Sequence, residues 1–157
     1  MLSDYFSYLF LAVPLFFVGS GVFFYFQKSK IIEKYKQADG VMIKNISGTM
    51  ITVSKAGLQY KKNFQWCSFD ILMNPNSMFL FPRSYSVLPL SCINLRFKMD
   101  RSNTKNPGVL REFTINEKFV ELIYYPDHIL NAKRTISLNN LSQAQILLFE
   151  KALNKQA

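Results

Sequence analysis

The chain reads as an α+β protein: one N-terminal transmembrane helix, then a curled antiparallel β-sheet or barrel of 6–8 strands capped by a C-terminal amphipathic helix. Three observations carry that expectation. An uncharged, aromatic-rich block runs from Tyr5 to Phe26. From Gly40 onward apolar residues alternate at the period of strands, and after Leu141 the period lengthens to that of a helix.

The N-terminal block has no charge between Asp4 and Lys28. A helix needs about 20 apolar residues to cross the hydrocarbon core, and this stretch supplies them. Tyr5, Phe6 and Tyr8 at one end and Phe23, Phe24, Tyr25 and Phe26 at the other suit interfacial belts. No Lys or Arg precedes the block and no A-x-A site follows it, so it reads as an uncleaved anchor rather than a signal peptide. Pro14 and Gly19-Ser20-Gly21 are ordinary in such a helix, and the G-x-x-x-G spacing of a tight helix pair is absent. Lys28, Lys30, Lys34 and Lys36 follow the block, and positive residues stay inside. The expected placement is the inner membrane, N-terminus out and the remainder cytoplasmic. The expected organisation is an anchor over 1–27, a basic juxtamembrane linker over 28–40 and a β-rich domain over 41–157. Those four lysines are the expected headgroup contacts, each contributing on the order of 1 kcal/mol at an anionic surface.

Thr49 to Val53 and Leu58 to Lys61 read as a hairpin around Lys55-Ala56-Gly57. Phe64, Trp66 and Ser68 alternate with Gln65 and Cys67 in a third strand, where Trp66 is expected in the core or half-buried. Asn74-Pro75-Asn76-Ser77 is a turn, and Met78 to Phe81 a short strand closed by Pro82. In Tyr85 to Lys98, Ile93, Leu95 and Phe97 point one way and Asn94, Arg96 and Lys98 the other. Asp100 to Gly108 is a polar loop. Leu110 to Ile115 and Lys118 to Tyr125 form a hairpin about Asn116-Glu117, and Arg134 to Leu138 is the last strand. Ser142 and Gln145 then make a capping box. Leu141, Ala144, Leu148 and Ala152 line one face of the helix that follows, flanked by Leu147, Phe149 and Leu153.

This order resembles the pleckstrin-homology-like (PH-like) superfold, as found behind membrane helices in bacteria. The segments that carry the resemblance are SKAGLQY (Ser54 to Tyr60), FQWCSFDIL (Phe64 to Leu72) and FLFPRSY (Phe79 to Tyr85), over a span from Thr49 to Asn154. It implies a binding module without catalysis, taking phospholipids, peptides or other proteins. Phosphoinositide binding does not carry over, because the first hairpin offers only Lys55, with Lys61 and Lys62 after it.

The residues themselves point to no reaction. His128 is the lone histidine and Cys67 and Cys92 lie far from it in sequence, so no zinc set is visible. There is no G-x-S-x-G, P-loop or G-x-G-x-x-G, and Asp70, Glu112, Glu117 and Glu121 are scattered at strand-surface positions. Neither an enzyme nor a cofactor is expected. The net charge of +9 favours acidic partners, but the basic residues form no dense tract, so nucleic acid is not expected. Two cysteines make no secreted-type disulfide framework and read as free thiols. The expected function is a single-pass tethered PH-like scaffold that recruits a protein or peptide at the inner leaflet. Lys61, Lys62, Arg83, Tyr85, Leu88 and Leu90 are candidate lipid or partner contacts. Two alternatives remain: a subunit or immunity-type inhibitor in a larger membrane complex, and a sensor of anionic lipid.

Overall fold

The computed structural model describes residues 2–56, 59–86, 88–97, 108–126 and 131–154. The expected turn at Gly57, most of the polar loop before Gly108 and the turn holding His128 lie outside them. Helix α1 (Leu2–Tyr35) comes first. Strands β1 (Val41–Ala56), β2 (Gln59–Met73), β3 (Ser77–Ser84), β4 (Leu88–Pro89), β5 (Ile93–Arg96), β6 (Gly108–Ile115), β7 (Phe119–Tyr124) and β8 (Ala132–Asn139) follow. Helix α2 (Gln143–Leu153) ends the fold.

The strands pair in the order β2-β1-β8-β7-β6-β5-β3-β4, and β2 also pairs with β3. That extra pairing closes every strand except β4 into a ring, a seven-stranded barrel. One seam departs from the antiparallel expectation. β5 and β6 run parallel, joined only through Leu95–Gly108 and Arg96–Val109. Parallel neighbours need a long crossover, and the chain between Arg96 and Gly108 supplies it.

Alternation sets the interior. Cys67, Phe69, Ile71 and Met73 of β2 face Met78 and Leu80 of β3, Leu122 of β7, and Ile136 and Leu138 of β8 in one buried cluster. Helix α2 plugs one end. Ser142 caps it through the Gln145 N–H, Gln145 answers on the Ser142 N–H, and Ile146, Phe149 and Leu153 are buried. The buried line is therefore set one residue off the expected face, and Leu147 is 55% exposed.

The N-terminal helix requires the main correction. Among the described residues, no helix is long and apolar enough to cross a membrane, so the expected single-pass transmembrane segment is overturned. The helix continues without a break through the polar residues from Gln27 to Tyr35. Nor is that continuation a free linker. Ile31, Ile32 and Tyr35 lie on a patch of the outer barrel wall made by Leu72, Phe79 and Phe81. Tyr35 stacks on Phe79 at 5.4 Å between ring centroids.

Candidate functional site

Two places gather chemistry, both on the outer wall of β2. The first is the seat of α1. Strand β1 breaks register between Ile43 and Ile46, and Asn45 takes a left-handed φ of 58°, a conformation Asn tolerates. This bulge turns the Asn45 N–H onto Asp70 Oδ1 at 2.8 Å. The same carboxylate accepts from Lys28 Nζ of α1 through Oδ2 and from Arg83 Nη2 of β3 at 3.4 Å. Arg83 Nη2 also reaches Asn45 Oδ1 at 3.3 Å. Burial alone would raise the Asp70 pKa. The Lys28 hydrogen bond, the Asn45 N–H and the two cationic charges outweigh it, and the carboxyl is held below its ordinary value. Lys28 also sits 5.6 Å from the centre of the Phe81 ring. A cleft of about 250 Å³ opens here, with Phe24, Phe81 and Leu90 on its apolar walls and Lys28, Asp70 and Arg83 on its charged side.

The expected headgroup residues separate in space. Lys28 is half-buried and paired with Asp70. Lys30, Lys34 and Lys36 are exposed, with Lys34 over the Tyr35 ring at 5.3 Å. Of the candidate contacts, Arg83 joins Lys28 at Asp70, and Leu90 is half-buried against the main core. Leu88 and Tyr85 are exposed beside the end of β3, and Lys61 and Lys62 are exposed on the first hairpin.

Above the seat of α1, the helix surface is apolar on every side. Leu15, Phe16, Phe17 and Val18 are all exposed, and four successive residues go once round a helix. Phe10 at 82% and Phe16 at 74% exposure show how little of this stretch the barrel covers.

The second place is the outer face of the β1–β2 hairpin. Trp66 is 63% exposed, not core, and its ring meets Phe64 edge-on at 5.2 Å and 83°. Tyr60, Lys62, Phe64 and Trp66 share a face with Lys55, Val53 and Ile51 opposite them, and Lys133 lies beyond Val53. The parity of β2 carried the signal for this exposure: once Cys67, Phe69 and Ile71 point inward, Trp66 and Phe64 point out. Asp70 had no such signal, because its partner Lys28 is 42 residues away in sequence.

The remaining chemistry is sparse. Cys67 and Cys92 are free thiols, and burial pushes Cys92 up to about 12. Among the described residues no three His, Cys, Asp or Glu side chains cluster as metal ligands would. No family model matches the chain, and no curated protein matches it in sequence.

Proposed function

We propose that this chain is a PH-like binding module that works at the cytoplasmic face of a membrane, where its barrel recruits a protein or peptide. The observation that carries the reading is the apolar surface of α1, exposed on every side from Leu15 to Val18, on a helix that leads on to exposed Lys30, Lys34 and Lys36. A helix apolar on every side needs an apolar surround. Cations at one end of it suit an anionic surface, each contributing on the order of 1 kcal/mol. The reading asks for lipid contact along the helix and not for a span. The barrel with its C-terminal plug supports PH-likeness, while the parallel β5–β6 seam departs from it.

Flotation of the full-length chain with vesicles tests the reading. Recovery with the vesicle fraction is the expected result, stronger with acidic than neutral lipid, and salt-sensitive in that difference alone. Replacing Lys30, Lys34 and Lys36 by Gln should remove the acidic preference, while Phe16→Asp with Phe23→Asp should remove flotation itself. A chain that stays below both kinds of vesicle refutes lipid contact. The same bare helix also favours a second reading, a subunit packed on a partner's helices. A stoichiometric partner that holds the chain in detergent and is lost on Phe16→Asp would establish that one.

A further inference from the structure

Among the described residues, strand β2 has a bare edge. It pairs with β1 along its whole length, but β3 accompanies it only from Cys67 to Met73. At Ser84 the chain leaves β2 by a tight reversal in which Tyr85 (φ 50°) and Ser86 (φ 62°) are both left-handed, a turn that ordinarily takes Asn and Gly. The cost of holding two side-chain-bearing residues there is of the kind that accumulates at functional sites. The Tyr85 N–H reaches back to the Trp66 carbonyl at 3.3 Å, marking where the β3 row stops. Backbone groups alternate in direction along a strand. Because the Trp66 carbonyl points to the β3 side, the N–H and C=O of Phe64, Lys62 and Tyr60 point there too. Among the described residues no strand takes them up.

We propose that this edge, from Gln59 to Gln65, is the docking site for an extended acidic segment of a protein partner, which adds itself as a strand in line with β3. The inference rests on the binding-module reading and specifies where and what it binds. Seven residues of strand span about 23 Å, room for a peptide of similar length. Main-chain bonds to Tyr60, Lys62 and Phe64 would hold it, as strand addition does elsewhere. Trp66, Phe64 and Tyr85 surround one end of the slot with exposed rings. The charge is one-sided: Lys55, Lys61 and Lys62 are exposed on the hairpin and Lys133 beside it, while neither Ile51 to Ala56 nor Gln59 to Trp66 contains an acidic residue. Edge lysines discourage pairing with another copy of the same strand, and an acidic strand turns that repulsion into attraction. A single-stranded nucleic acid is the weaker fit. Its bases stack on open ring faces, whereas the Phe64 and Trp66 rings stand edge to face and Lys55 lies over Tyr60 at 5.6 Å.

Trp66 is the chain's lone tryptophan, so its fluorescence reports on this slot alone. The full-length chain is titrated with a seven-residue peptide alternating Glu and Val, the same peptide N-methylated at alternate backbone nitrogens, a Lys–Val counterpart and a single-stranded oligothymidylate. The expected result is a saturable Trp66 shift with the Glu–Val peptide, several-fold weaker at high salt and at least tenfold weaker for the methylated and Lys–Val peptides. Lys62→Pro removes an edge N–H without touching the β1 ladder, and it should weaken binding about tenfold beyond the charge control Lys62→Gln. No shift at millimolar peptide, equal binding of the methylated peptide, or a response to the oligonucleotide in place of the peptide overturns the proposal. A partner that co-purifies and leaves Trp66 unchanged overturns this site while sparing the binding-module reading.

Discussion

Replacing Asp70 by Asn should loosen α1 from the barrel while leaving the barrel intact. Asn keeps the shape and removes the charge that binds Lys28 from α1 and Arg83 from β3. Only the Lys28 bond joins α1 to the barrel, because Asp70 and Arg83 both lie on barrel strands; a charge-assisted hydrogen bond contributes about 1.5–3 kcal/mol when fully shielded. Lys28 keeps 29% of its side-chain surface and can turn towards water, so the loss is discounted to about 1 kcal/mol. Because 1.4 kcal/mol is a factor of ten, helix opening should become about fivefold more frequent. Native-state hydrogen exchange reads this directly: amides from Lys28 to Tyr35 should exchange about fivefold faster, and those of β7 and β8 should hold. The Lys28→Gln change should be non-additive with it, because both remove the same contact. Unchanged helix amides, or equal acceleration in β7 and β8, would refute the assignment of Asp70 as the helix latch. Acid gives the same perturbation without mutation. The folded-state pKa of Asp70 lies below its ordinary value, so its contribution is complete above about pH 4 and is lost as pH falls through that lowered value. Helix amides of the wild type should therefore lose their extra protection at acid pH, and those of Asp70→Asn should show no such step.

Three further outcomes follow from the packing. Gly48→Ala drives a methyl group into the Ser137 carbonyl oxygen and to 3.1 Å from the Phe69 ring, and should cost about 1–3 kcal/mol or more by thermal unfolding. Phe149→Ala should cost about 3–5 kcal/mol in denaturant titration, whereas Leu147→Lys on the exposed face of α2 should change little. Cys92 should resist alkylation at pH 8 until the chain unfolds, since burial holds its thiol protonated, and fast labelling of the native protein would contradict its placement.

Local signals were legible in the sequence and long-range ones were not. The capping box at Ser142 and Gln145 and the hairpin about Asn116-Glu117 are written within a few residues, and both stand in the structure. The start of β1 at Val41 was hidden because its bulge at Asn45 breaks the alternation. The β5–β6 seam joins residues separated by a long crossover, so no local pattern announces it. The helix was misjudged for a related reason. Hydropathy from Tyr5 to Phe26 counts apolar residues, but it is silent on the polar turns from Gln27 to Tyr35 having a seat on Leu72, Phe79 and Phe81. That apolar patch on the outward side of β2 and β3 was visible as Phe79 and Phe81 at alternate positions, and only the docked helix explains it.

The central claim is that the bare surface of α1 meets lipid. A polarity-sensitive fluorophore at Phe16→Cys tests it most directly, the native thiols being shielded in the fold. The account predicts a blue shift and protection from an aqueous quencher when acidic vesicles are added to the full-length chain. Emission and quenching that stay as they were in buffer, with vesicles present, would contradict it.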